Sequence, residues 1–247
     1  MAGFCTFLAQ GRYGNFMMEF FTAFAYSLKY GLDFTVPAKA THEFYNPVYL
    51  PHLINPSYNP HKERVMIVEK HFHYYELPFE ESWRDKNIIL HGYFQSERHF
   101  KDYRKEILQA VNYPNEMKKG VVGVHIRRGD YLIHRNKHPE VTKEWYENAM
   151  SNFLGYKFLF FSDDIPWCIE NFGHRSDCEF SKGGIEEDAI SLSQCEHFVN
   201  SSSTYSWVCA WLSQNPDKII YTPKNWFVEG WQNEDTKDIV PPEWIKL

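Results

Sequence analysis

Residues 121–131 read VVGVHIRRGDY. Small and β-branched apolar residues describe a buried strand, and the run stops abruptly in charge at Arg127, Arg128 and Asp130. In open α/β sheets ligands bind beyond the carboxyl ends of the strands, and a guanidinium matches two phosphate oxygens bidentately. The two arginines therefore point to a phosphate or pyrophosphate site. The alternative is that they pair with Asp130 and nearby carboxylates at a loop surface. In this strand context Arg128-Gly129-Asp130 is not a displayed adhesion loop.

The flanks extend the pattern. A helix is expected from about Lys143 to Leu154, capped by Thr142. KFLFF at 157–161 is the continuous apolar run of a parallel strand covered on both faces, closed by Ser162-Asp163-Asp164. Pro166 opens a helix that ends before Gly173. A strand over 178–181, a helix over 186–196 and a strand over 197–200 follow. Ser201-Ser202-Ser203-Thr204 then starts the helix YSWVCAWLSQ, and KIIYT ends the series at 218–222. Such a succession with right-handed crossovers is a Rossmann-like unit. Trp226, Trp231 and Trp244 in the tail are expected to pack on its surface.

Upstream, a strand at 4–8, the loop AQGRYG, a helix of about 15 residues from Asn15 and a strand at 32–36 form a second βαβ unit, with Gly31 as left-handed cap. Residues 40–85 read as loops and short elements, 87–94 as a strand and 97–110 as a helix. Pro114-Asn115-Glu116 marks a boundary, which divides the chain into 1–115 and 116–247.

The chain has 247 residues, 43% of them hydrophobic and 18% aromatic, enough to fill two cores. A net charge of −6 removes the case for a dedicated nucleic-acid binder, so any phosphate site must be local. Five cysteines without a C-x-x-C pair suggest neither a disulfide framework nor a zinc site. His71-Phe72-His73 lacks a further ligand at metal spacing. No basic region precedes the first apolar stretch, and no run approaches the ~20 residues of a membrane helix. A cytoplasmic chain with at most peripheral membrane association is expected.

Three strand-to-helix junctions carry anion-binding chemistry. At 11–15 a glycine loop brings helix-start amides next to Arg12, although it lacks the third glycine of a dinucleotide fingerprint. At 125–130 stand His125 and the arginines, and at 202–205 hydroxyls and helix-start amides, with an ordinary Ser/Thr cap as the alternative. In Glu186-Glu187-Asp188 a carboxylate at a helix start either caps it or accepts the adjacent N–H donors of a guanine edge.

GRYGN with FMMEFFTAFAYSLKYG, GVHIRRGDY, FFSDDIPWCIENF, and the block EEDAISLSQCEHFVNSSSTYSWVCAWLSQNPDKIIYTPKNWF resemble, in order, the motifs of the α1,2-fucosyltransferases. More distantly, the glycine loop and H-x-R block are similar to those of protein O-fucosyltransferases. The resemblance implies a GT-B-like α/β fold, two Rossmann-like domains facing a cleft, the first on the acceptor side and the second binding the donor. It implies inverting transfer of L-fucose from GDP-β-L-fucose to the 2-hydroxyl of a terminal β-galactoside of an oligosaccharide or surface glycan, with no cofactor or metal. Consistently, no D-x-D triplet occurs. Arg12, Gly14 and Asn15 would hold the donor's pyrophosphate and fucose, and His125 the nucleotide. Arg127, with Arg128 beside it, would clamp the β-phosphate and stabilise the leaving group. Asp188 would read guanine, with Ser203, Thr204 and Tyr205 around the phosphates. The chain departs from the family's N-S-S-F-S-W-W-G-A-W at 202–211, and Phe16 replaces a usual glutamine, changes that bear on acceptor choice. No residue is nominated as general base; Asp130, Glu19 and Asp163 read more simply as structural. The alternatives are fucose transfer to another hydroxyl, including protein O-fucosylation, and a catalytically silent GDP-sugar- or glycan-binding protein.

Overall fold

The computed structural model describes residues 3–38, 49–231 and 235–247. The chain divides into two compact units, Met1–Tyr113 with Asp235–Pro241, and Pro114–Glu234 with Pro242–Leu247. The segment 235–241 thus joins the first unit, whereas sequence placed it with the second.

In the first unit a four-stranded parallel sheet runs β2-β1-β4-β3. β1 (Phe4–Phe7) is wholly buried, and α1 (Tyr13–Tyr30) leaves it through the glycine loop. α1 is apolar on most of its surface because the sheet and the segments around it cover it; Met17, Met18, Phe20 and Phe21 are fully buried. Gly31 closes it at φ 63°, the left-handed cap its sequence announces. β2 (Asp33–Phe34) is only two residues long, not five. β3 (Arg64–Val68) falls in the stretch read as loops. It is an edge strand whose burial alternates, but the outward positions 66 and 68 are the apolar Met66 and Val68, so the sequence shows no matching polar-apolar alternation. β4 (Asn87–His91) stops three residues short of expectation, because the chain turns at Gly92 and Phe94 takes φ 48°. The helix expected at 97–110 is two 3-10 turns, Glu97–His99 and Lys101–Tyr103, leading into α2 (Arg104–Val111). Residues 40–48 of the Pro- and Tyr-rich stretch lie outside the described residues.

The second unit is a six-stranded parallel sheet, β10-β9-β8-β5-β6-β7. β5 (Lys118–Ile126) is central, flanked by β6 (Lys157–Ser162) and β8 (Cys195–Val199). Its outer strands are β7 (Cys178–Phe180), β9 (Ile220–Thr222) and β10 (Ile245–Lys246), the last unforeseen. A short helix, α3 (Gly129–Ile133), follows the arginines directly. α4 (Lys143–Met150) ends a turn early and is capped by Thr142, whose hydroxyl accepts the Trp145 N–H. α5 (Ile165–Phe172) has Asp164 as N-cap and Pro166 in its first turn. α6 (Ile185–Ser193) is shorter than read and β8 begins at Cys195, since Cys195 and Glu196 continue the strand rather than the helix. α7 (Thr204–Leu212) starts at the serine run. Val122, Val124 and Ile126 meet Tyr146, Met150, Phe160 and Phe172 in one buried cluster. Trp226 and Trp244 are buried, Trp244 against Trp207.

Candidate functional site

The carboxyl ends of β5, β6 and β8 bring three of the expected groups together. His125, the penultimate residue of β5, is 4% exposed, and its Nδ1 lies 2.8 Å from Ser201 Oγ past the end of β8. Its ring stands 5.2 Å from that of Tyr205. Burial, with the Arg127 charge beside it, lowers the imidazole to about 3, so it is neutral at physiological pH.

One residue beyond the strand, Arg127 meets two carboxylates. Nη2 is 2.5 Å from Asp130 Oδ1 and Nη1 is 3.0 Å from Asp163 Oδ2. Arg128 turns to the start of α5, where Nε is 3.1 Å from Asp164 Oδ2 and the guanidinium lies 4.1 Å over the Trp167 ring. Asp163 links the two, for its Oδ1 accepts the Arg128 backbone N–H at 2.9 Å. The ion-pair alternative is therefore what the structure shows for both side chains. Gly129 makes the arrangement possible: a Cβ there would sit 2.4 Å from Asp163 Oδ2. The two carboxylates occupy two directions of the Arg127 fork, which has five N–H donors in all. They hold its plane without exhausting its donors.

The serine turn is tied to this cluster by Tyr131, which sequence reasoning did not single out. Its hydroxyl donates to Ser202 O at 2.9 Å, its ring lies 5.5 Å from the Arg127 guanidinium, and His138 stacks on it at 3.7 Å. Burial raises the phenol to about 12, so it remains a donor. Ser202 Oγ donates to Asn225 O, and Ser203 caps α7 through the Tyr205 N–H. Thr204 is the first residue of α7. Tyr205 OH donates to Ile185 O at 2.6 Å, which brings α6 alongside α7. In the first turns of α6, half-buried Asp188 accepts from Ser181 Oγ at 2.5 Å, and burial raises its carboxyl above the ordinary range. The N-cap role belongs to Gly184, with Glu187 accepting its N–H, so Asp188 is not the capping group.

In the first unit the glycine loop is built around Asn15. Gly11 has φ +68°, and a Cβ on it would lie 2.1 Å from Asn15 Nδ2, so two separate demands select glycine. Arg12 is the extended N-cap residue of α1, and Gly14 is buried in its first turn. Beneath the loop Glu19, fully buried, receives the Gln10 N–H on both oxygens at 3.0 and 3.2 Å. Burial lifts its carboxyl well above the usual range, and Glu69 adds to the effect.

Among the described residues no group of three or more His, Cys, Asp or Glu side chains could hold a metal, and no helix is long and apolar enough to cross a membrane. His71 and His73 stack on each other at 4.8 Å, and His73 Nδ1 lies 3.5 Å from Asp235 Oδ2.

Two α/β units with all-parallel sheets and their polar groups at strand ends are the fold of GT-B-type glycosyltransferases. The likeness is carried by the solved fucosyltransferase NodZ from Bradyrhizobium, with a TM-score of 0.51 over 90% of this chain and 95% of that one at 11% identity. The chain belongs to glycosyl transferase family 11, whose model matches residues 2–247. Among relatives, it is 31% identical to the O-antigen biosynthesis glycosyltransferase WbnK of Escherichia coli over 59% of this chain and 48% of that one. It is 26% identical to galactoside alpha-(1,2)-fucosyltransferase 2 of Oryctolagus cuniculus over 93% of this chain and 76% of that one. The aligned part of the chain thus spans about half the length of WbnK.

Proposed function

We propose that the chain transfers L-fucose from GDP-β-L-fucose to the 2-hydroxyl of a terminal β-galactoside, with inversion and without a metal. The observation that carries this reading is the Arg127 guanidinium, held at the end of β5 by Asp130 and Asp163 and next to Tyr131, whose hydroxyl donates to Ser202 in the turn into α7. Departure of GDP from the sugar puts negative charge on the β-phosphate. Groups aimed in advance at that charge lower the barrier because they need no reorganisation as it grows. The immediate ring holds Arg127, Arg128, Asp130, Asp163 and Asp164, one negative charge in excess. Attraction for a diphosphate then comes from the directed N–H donors of Arg127 and the positive end of the α7 dipole, rather than from net charge. His125, neutral and hydrogen-bonded to Ser201, offers a fixed polar edge for the nucleotide, and Asp188 a carboxylate for guanine N–H groups. Arg12 and Asn15 are the donor-sugar residues on the glycine loop. The relative named a galactoside alpha-(1,2)-fucosyltransferase supports the acceptor and linkage. Unpaired thiols at Cys5, Cys168, Cys178, Cys195 and Cys209 support a cytoplasmic setting.

The test is GDP release from GDP-fucose with and without lactose, followed by linkage analysis of the product. Acceptor-stimulated release that survives EDTA and yields an α1,2 linkage is the expected result. Arg127→Ala should keep the far-UV spectrum and lose about 10² to 10³ in kcat, the usual cost of one preorganised donor. The double pairing of Arg127 also favours a second reading, a silent GDP-sugar-binding protein. Tight GDP-fucose binding without lactose-stimulated turnover would establish that reading instead.

A further inference from the structure

The glycine loop occupies only the start of α1, and the later turns of that helix line a cavity. Thr22, Ala25, Tyr26, Lys29 and Tyr30 recur at the spacing of one helix face. With residues from 74–77 and 98–103 they line a cavity of about 150 Å³ within the first unit. At about 1.5 Å per residue this face runs roughly 10 to 22 Å along the helix from Asn15, so the cavity is separate from the residues of the loop.

Its buried lining residues form a floor and its charged ones a rim. Thr22 belongs to the floor, 1% exposed, and among the described residues its hydroxyl has no hydrogen-bond partner. A helical threonine usually satisfies its hydroxyl on a carbonyl of the preceding turn, and an unsatisfied one costs stability until a bound group completes it. The rim carries Lys29, Arg98, Glu76 and Asp102, two charges of each sign, with Lys29 Nζ 2.8 Å from Glu76 Oε1. His99 adds no charge at neutral pH, since burial lowers its imidazole to about 4. Hydrogen-bonding groups without a net field suit a neutral polar molecule and give a phosphate or nucleotide no advantage.

The tyrosines define the shape of that molecule. The Tyr26 and Tyr30 rings stand 4.6 Å apart, Tyr30 stacks on Phe79 at 4.2 Å, and the Arg98 guanidinium lies 4.4 Å from the Tyr74 ring. Half-buried Tyr103 differs: among the described residues neither its ring nor its hydroxyl has a partner. An uncovered aromatic ring among hydroxyl, ammonium and carboxylate groups matches a pyranose, which has an apolar C–H face and an edge of hydroxyls. Size agrees, because a cavity of about 150 Å³ holds one six-membered ring.

We infer that this cavity is a second carbohydrate site, taking one neutral pyranose residue of a glycan, with Tyr103 against its C–H face and the Thr22 hydroxyl and rim charges on its hydroxyls. The inference does not rest on the roles proposed for Arg127 or Asn15.

The experiment follows backbone amide shifts of the isotope-labelled full chain by NMR during titration with methyl β-D-galactopyranoside, methyl β-D-glucopyranoside or inorganic phosphate. The chains compared are wild type, Tyr103→Ala, Tyr103→Phe, Thr22→Val and Arg127→Ala. At least one glycoside should move amides of residues 22–30, 74–77 and 98–103, equally in wild type and Arg127→Ala, and phosphate should not. Tyr103→Ala should raise the Kd read at those amides about tenfold, the scale of one ring stack, and Tyr103→Phe should keep it near wild type. Thr22→Val, which keeps the shape and removes the hydroxyl, should also raise the Kd. Amides unmoved by both glycosides, or a Tyr103→Ala chain that binds as wild type does, overturn the inference. If Tyr103→Ala does not fold, an unchanged Kd in Thr22→Val overturns it. Lactose-stimulated turnover of GDP-fucose with these amides unmoved by either glycoside removes the second site alone. Glycoside binding here in a chain that consumes no GDP-fucose leaves the site standing and removes the proposed reaction.

Discussion

His125 illustrates how one residue reports on its surroundings. Its ordinary value is near 6.5 and the folded value about 3, so between these the unfolded chain binds the extra proton. Stability from this group is complete above about pH 6.5 and is lost progressively as the pH falls toward 3. Lowering the pH from 7 to 5 should remove about 2 kcal/mol through this residue. His99 and His138 are depressed as well and add their own acid losses. The measurement is therefore the difference between wild type and His125→Gln in urea unfolding at pH 7 and pH 5, and His125→Gln should show the smaller drop. Sequence identified His125 and Arg127 as functional candidates from their place at a strand end. It could not show that Arg127 is shared between Asp130 and Asp163, since Asp163 is 36 residues away and reaches it only through the pairing of β5 with β6.

Elements are joined by residues whose shape decides whether the junction closes. Gly129 is the first residue of α3 and abuts the end of β6, with Asp163 Oδ2 2.4 Å from where a Cβ would be. Gly129→Ala should push that carboxylate off Arg127 and off the Arg128 N–H, costing about 1–3 kcal/mol of stability in the way overpacking does. It should lower kcat toward that of Arg127→Ala, as read by denaturant unfolding together with GDP release. The helices and strands with strong periodicity, α1, α5, β5 and β6, were legible from apolar spacing, caps and proline placement. β3 and β10 were not, because on these short edge strands apolar residues also sit at exposed positions, Met66, Val68 and Ile245, so residue type does not follow burial. The 97–110 helix was overread because its spacing of apolar residues is satisfied equally by 3-10 turns around buried Phe100.

At the scale of the molecule, the first unit is not continuous in sequence. Residues 235–241 belong to it, and Asp238 accepts the Tyr74 N–H at 2.9 Å and stands 3.5 Å from Arg98 Nη1. Asp238→Ala leaves a half-buried backbone N–H without its partner. It should cost about 1–3 kcal/mol, seen as a lower urea midpoint at unchanged slope. Linear order gives no sign of this return, for the tail follows the second unit directly and its tryptophans are expected to pack there.

The amino-acid order by itself determined the parallel α/β class, the division near 114, and the polar groups at three strand-to-helix junctions, because each is written in local periodicity and in the residue types that end a strand. Only the tertiary structure decided which carboxylates hold Arg127, why Gly11 and Gly129 must lack a side chain, and that Gln95 meets Asn15. Those facts depend on distances between residues 3 to 80 positions apart, and the longer of them are set by strand order and register, which chain-local pattern does not encode.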